Sequence, residues 1–60
     1  MSTAKGDMKM KKFNALGYSE HGYKMFYAEA MDAQTAWEKM WIEANNRGYS
    51  LPFKNVAEIN

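Results

Sequence analysis

The stretch Tyr23–Trp41, "YKMFYAEAMDAQTAWEKMW", contains the change from strand to helix that decides the fold. In its first part, aromatic and apolar residues occupy both alternating phases, which is typical of a strand with two apolar faces. Asp32 then suits the N-cap position, where a carboxylate accepts a backbone N–H that the helix leaves free. Beyond Asp32, apolar residues recur at helical spacing and predict an amphipathic helix. Its apolar stripe consists of Ala33, Ala36, Trp37, Met40, Trp41 and Ala44.

Two strands are predicted before this helix. Lys11–Tyr18 predicts the first and Tyr23–Ala30 the second, because both are short segments rich in aromatic and apolar residues. Ser19–Gly22, "SEHG", contains turn residues and predicts a hairpin connection of four residues or more. Gly48 is typical of the position just after a helix and predicts where the helix ends.

The C-terminal segment Phe53–Ile59 is compatible with an edge strand or with a short terminal helix. Pro52 argues against a central position for the start of such a strand. A strand is favoured, because one hairpin and one helix leave too little sheet. If this strand pairs parallel with the first, the helix supplies the long crossover that parallel pairing requires. The predicted fold is therefore α+β, in the order β-β-α-β, with one helix packed on one face of a three-stranded sheet.

The two phases of the second strand have different expected environments. Phe26, Ala28 and Ala30 share one phase, and the small alanines leave room for a helix that carries two tryptophans. We therefore predict that Phe26 and Ala28 face the helix, although the pattern also permits the opposite assignment. Their expected packing partners are Phe13, Ala15, Trp37, Met40 and Trp41. The residues left on the other side, called here the open face, are Leu16, Tyr18, Tyr23, Met25 and Tyr27.

The open face is the main candidate for a functional surface. A contiguous patch of Tyr and Met is a candidate protein interface, because these residues are enriched in interfaces. Tyrosine is also a good strand former in its own right, so the patch is compatible with a purely structural role. Two other partners remain open: single-stranded nucleic acid, with bases stacked on the exposed rings, and a second copy of the chain. Lysines expected to accompany the patch are Lys11, Lys12, Lys24 and Lys54.

Composition limits these possibilities. The chain has 60 residues, of which 47% are hydrophobic, and this predicts one folded domain over residues 8–60 after a disordered arm at 1–7. The chain contains no Cys, which excludes disulfides and thiolate metal sites and fits a cytoplasmic protein. Its net charge of +1 does not favour strong non-specific binding of nucleic acid. No segment is long and apolar enough to suggest a membrane partner.

No arrangement of residues suggests catalysis. Ser19, Glu20 and His21 are adjacent in a turn, where their side chains point in different directions, and no oxyanion donor pattern surrounds them. His21 is the single histidine and has no second ligand at metal-binding spacing. Glu38 and Glu43 do not share a helix face. We therefore expect a protein that is not an enzyme and that uses no cofactor or metal.

Several short segments of the chain form a recognisable series: Lys11-Lys12-Phe13, Ala15, Ser19-Glu20-His21, Tyr27-Ala28-Glu29, and Asp32 at the start of a helix that carries Ala and Trp. This series resembles the small inhibitor of bacterial RNA polymerase made by T-odd-type coliphages. This resemblance covers about residues 11–41 and implies a β-β-α-β fold in a phage protein that docks on the jaw region of the polymerase β′ subunit. In that family, basic residues of the last strand contact the polymerase. This chain has only Lys54 there, near Glu58.

Overall fold

A hairpin of two nine-residue strands forms the first half of the fold. The computed structural model describes residues 10–59, so the predicted arm at 1–7 lies outside the described residues. Strand β1 spans Lys11–Ser19 and strand β2 spans Gly22–Ala30. They pair antiparallel in an unbroken register from Lys11 opposite Ala30 to Ser19 opposite Gly22. Both strands lie where the sequence predicted them.

The turn of this hairpin is tighter than the predicted connection of four residues or more. Ser19 already pairs with Gly22, so only Glu20 and His21 connect the strands. Gly22 has a φ of +124°, a conformation that residues with a Cβ rarely adopt. The Ser19 hydroxyl oxygen accepts the His21 backbone N–H at 3.0 Å. Together, the glycine and this local hydrogen bond allow the shorter turn.

Helix α1 spans Ala33–Asn46, and both of its ends match the predicted signals. The Asp32 carboxylate accepts the Thr35 backbone N–H at 2.8 Å, as expected of an N-cap. Gly48 has a φ of +84° and donates its backbone N–H to the Asn45 carbonyl, while Tyr49 donates to the Ala44 carbonyl at 2.8 Å. This pair of bonds is the Schellman motif, which reverses the chain after a helix.

The C-terminal segment contains a short helix and a strand. A 3-10 helix spans Phe53–Asn55, and strand β3 spans Val56–Ile59. The order of the strands in the sheet is β2-β1-β3, and β3 pairs with β1 antiparallel, not parallel. Because β2 and β3 both run opposite to β1, they run in the same direction, and α1 is the crossover between them. The structure therefore confirms the α+β class and corrects the direction of the last strand relative to the first.

The buried core confirms which phase of β2 faces the helix. Phe26 is 2% exposed and lies in one cluster with Met40, which is 1% exposed. Ala28 and Trp37 are partly buried and pack against this cluster. The cluster consists of Phe13, Ala15, Phe26, Ala30, Ala36, Met40, Ala44 and Leu51.

Trp41 was predicted to be a core residue, and this prediction was wrong, because its side chain is 42% exposed. The buried helical residues are Ala36, Met40 and Ala44, spaced four apart, so only the centre of the predicted stripe reaches the sheet. Trp37 lies at the flank of this line, where its indole N–H donates to the Leu51 carbonyl at 2.8 Å. Leu51 itself is buried and was not predicted as part of the core.

Met40 should be far more important for stability than its neighbour Ile42 on the same helix. Met40→Ala removes a fully buried side chain, and we expect the free energy of unfolding to fall by about 2–4 kcal/mol. Ile42 is 57% exposed, so Ile42→Ala should change it by less than about 0.5 kcal/mol. Urea denaturation followed by circular dichroism measures both. Equal losses for the two variants would contradict the observed position of the helix on the sheet.

Stability should also depend on the protonation of Asp32. The hydrogen bond from the Thr35 backbone N–H lowers the pKa of this carboxyl group below its ordinary value. A lowered native pKa stabilises the fold at pH values above the ordinary pKa, and the effect is lost as the pH falls through the native pKa. Asp32→Asn keeps an N-cap side chain but cannot titrate. In urea denaturation between neutral and acid pH, the variant should lose less stability than the native chain, and identical losses would exclude this role.

Candidate functional site

The open face is formed by paired residues of β1 and β2. Tyr18 lies opposite Tyr23, and Leu16 lies opposite Met25. The Tyr18 and Tyr23 ring centroids are 6.5 Å apart with a tilt of 56°, so the two rings are neighbours in one row. Tyr23 is 74% exposed and Tyr27 is 65% exposed. All five predicted apolar residues are exposed and lie together on the side of the sheet away from α1.

Strand β3 extends this face beyond the residues that the sequence predicted. Ala57 lies opposite Asn14, and Ile59 lies opposite Lys12, so both follow the same phase as the open face. Ile59 is exposed, and it borders a shallow groove of about 350 Å³ with Tyr27 and neighbouring residues. Alternation along β3 carried a signal for Ile59, but its face could not be assigned without the pairing of β3 to β1.

The predicted lysines do not form one basic rim. Lys12 lies on the open side of β1, between its cross-strand neighbours Glu29 and Ile59. Lys11 and Lys24 belong to the opposite phase, and the Lys24 ammonium lies 5.9 Å from the centroid of the Phe26 ring. Lys54 is exposed in the 3-10 helix, outside the strands. The open face is therefore mainly apolar, with one lysine and one glutamate side by side at one end.

A second exposed apolar surface lies on the outer side of α1 and was not predicted. Its indole groove, of about 330 Å³, is lined by Trp37, Glu38, Trp41 and Ile42. The Trp37 ring contacts two neighbours: its centroid lies 6.2 Å from that of Trp41 and 5.9 Å from that of Phe53, the latter in an edge-on arrangement. The helical spacing of the tryptophans indicated that they are adjacent, but it could not show that Trp41 stays largely exposed.

The turn residues form no catalytic arrangement. The Ser19 hydroxyl accepts a backbone N–H, and the His21 imidazole lies 3.9 Å from the Glu20 carboxylate with both side chains in solvent. Within residues 10–59, no group of three or more His, Cys, Asp or Glu side chains is placed to hold a metal ion. Over the same range, no helix is long and apolar enough to cross a membrane.

Comparison with known proteins does not assign the chain to a family. No family model matches it, and neither the curated proteins nor the solved structures contain a significant match. Any functional interpretation therefore depends on the surfaces of the chain itself and on the resemblance described above.

The two tryptophans should differ in their contribution to stability. Trp37→Phe keeps an aromatic ring but removes the N–H that the Leu51 carbonyl accepts, and we expect a loss of about 1–2 kcal/mol. Trp41→Phe removes no hydrogen bond observed among the described residues, and it should change stability by less than about 0.5 kcal/mol. Urea denaturation measures both values. A larger loss for Trp41→Phe would show that its indole has a structural role.

Proposed function

We propose that the protein is a small non-enzymatic accessory protein of a phage, which binds a host protein through its open face and thereby inhibits or modulates it. Bacterial RNA polymerase is the leading candidate target, on the basis of the sequence resemblance. The binding itself requires only complementarity of shape and charge, with the exposed tyrosines as the anchoring residues.

The observation that carries this proposal is the row of exposed rings on the uncovered side of the sheet. Tyr23, Met25 and Tyr27 are every second residue along β2, so their side chains lie on the same side of the sheet. Large exposed apolar patches are uncommon on soluble monomers and are typical of interaction sites. Tyrosine supports this use, because its ring buries a large area and its hydroxyl group forms hydrogen bonds in a partly wet interface.

The same rings are also compatible with base stacking, but the charges favour a protein partner. A surface for single-stranded nucleic acid combines aromatic rings with a basic groove along the backbone path. Here Lys11 and Lys24 lie in the phase that faces the helix, and Glu29 accompanies Lys12 on the open side. In the family that the chain resembles, basic residues of the last strand contact the polymerase. The corresponding basic residue here is Lys54, which lies in the 3-10 helix before β3. The contact with the polymerase would therefore differ in detail from that of the family.

The test is to remove the two most exposed rings together. Tyr23→Ala with Tyr27→Ala should abolish capture of the host partner from bacterial lysate and leave the helical circular dichroism signal unchanged. Transcription by purified bacterial RNA polymerase, with the native and variant proteins added in turn, then tests the named target. Inhibition by the native protein and loss of inhibition by the double variant are the expected results.

The matched control uses the other apolar surface. Trp41→Ala with Ile42→Ala removes an equal number of large exposed side chains from the indole groove, and it should leave capture unchanged. If the control abolishes capture and the tyrosine variant does not, the indole groove is the binding site. A gel shift with single-stranded DNA or RNA separates the alternatives, since binding that weakens steeply with salt would favour nucleic acid.

A further inference from the structure

The backbone of β2 has a free edge whose direction follows from the hydrogen bonds of β1. Tyr18 and Ser50 exchange two backbone hydrogen bonds, of 3.0 and 2.8 Å, so the polar backbone groups of Tyr18 point toward the β3 side. Tyr23, its cross-strand neighbour, therefore directs its N–H and C=O away from β1. By alternation the same holds for Met25, Tyr27 and Glu29. The residues whose side chains form the β2 row of the open face thus also carry the outward backbone groups.

One end of this edge is closed by a side chain. The Lys39 ammonium donates to the Glu29 carbonyl at 2.8 Å, which independently shows that this carbonyl points outward. No hydrogen bond from the rest of residues 10–59 reaches the outward groups of Tyr23, Met25 or Tyr27. The free segment is therefore Tyr23–Tyr27, with Met25 at its centre.

Most of the usual protections of an edge strand are absent from this segment, which has only one charged residue, Lys24. Natural edges are shortened, bulged, interrupted by proline or covered, because a free edge pairs readily with another strand. The other edge follows this rule, since β3 has four residues and follows Pro52 and a 3-10 helix. In contrast, β2 has nine residues, an unbroken register with β1 and no proline.

We propose that the β2 edge binds the β2 edge of a second copy of this chain, in an antiparallel pair centred on Met25. A two-fold axis perpendicular to the sheet keeps the open faces of both copies on the same side. This symmetry therefore places odd-numbered residues of one β2 strand opposite odd-numbered residues of the other. The odd-numbered residues are the ones whose backbone N–H and C=O groups point outward. Met25 then lies opposite Met25 of the partner, and Tyr23 lies opposite the partner's Tyr27. This register uses the whole free segment and avoids the end that Lys39 closes.

The expected product is a continuous six-stranded antiparallel sheet with both helices on one side. On the other side, the aromatic rows of the two copies merge into one surface. A contact between two short edges buries less than the 1,200 Å² or so typical of a stable complex, so the dimer should be weak and depend on concentration. The proposal is independent of the proposed function, because the pairing leaves the open face accessible.

Cysteine cross-linking tests the register directly, because the native chain contains no cysteine. In the proposed pair, Met25→Cys places two cysteines opposite each other, at a Cα separation of about 5.5 Å that a disulfide spans. Tyr27→Cys places them about 14 Å apart, which is too far. Under mild oxidation, the Met25→Cys dimer should form roughly tenfold faster or more, because pairing raises the effective thiol concentration. Equal rates, or a faster reaction of Tyr27→Cys, would overturn the register.

Sedimentation tests the edge itself with a matched pair of proline variants. Met25→Pro removes an outward N–H and keeps the β1–β2 hydrogen bonds, so the variant should fold but dimerise roughly tenfold more weakly or worse. Lys24→Pro removes an N–H that points toward β1, and it should destabilise the fold. A native chain that is monomeric at millimolar concentration would overturn the proposal. If the native chain is monomeric and Met25→Pro weakens its capture of a host protein, the β2 edge binds a strand of that host protein instead.

Discussion

The close contact between α1 and the sheet is the constraint on which the rest of the molecule depends. It is possible because alanines occupy both sides: Ala36 and Ala44 on the helix, and Ala15 and Ala30 on the strands, are all buried. Met40 and the Phe26 ring fill the space between these small side chains. The two tryptophans of the helix lie outside this line of small residues: Trp37 packs at the flank of the core, and Trp41 is largely exposed. In a chain of 60 residues, this single contact provides most of the core.

The exposed apolar surfaces follow from the small number of elements in the fold. One helix covers one face of a three-stranded sheet, so the large residues of the other phase stay exposed on the open face. The same geometry leaves β2 as a long edge, because β3 crosses to the far side of β1. The tyrosine row and the free edge thus share Tyr23, Met25 and Tyr27, through their side chains in one case and their backbone in the other.

Local signals in the sequence predicted the helix and the first two strands well. Features that depend on packing were harder to predict. Asp32 and Gly48 marked the helix ends, because capping involves only a few neighbouring residues. The phase of β2 followed from the small Ala28 and Ala30 beside a helix with two tryptophans. Trp41 was misassigned, because a stripe at helical period is wider than the line of contact between a helix and a sheet. Leu51 and the direction of β3 depend on where the chain runs after the Schellman motif, which no local pattern specifies.

The side chain of Asn55 links the C-terminal segment to β1, and this link bears on the order in which the elements fold. Its amide donates to the Leu16 carbonyl at 2.8 Å across 39 residues of sequence, just before β3 pairs with β1. The hairpin, in contrast, closes between neighbours and needs little loss of chain entropy. The C-terminal segment is therefore expected to dock last during folding and to open first in the native state. Transient opening of this segment would expose the edge of β1 that pairs with β3. The molecule would then briefly consist of a hairpin and a helix with only part of the core between them.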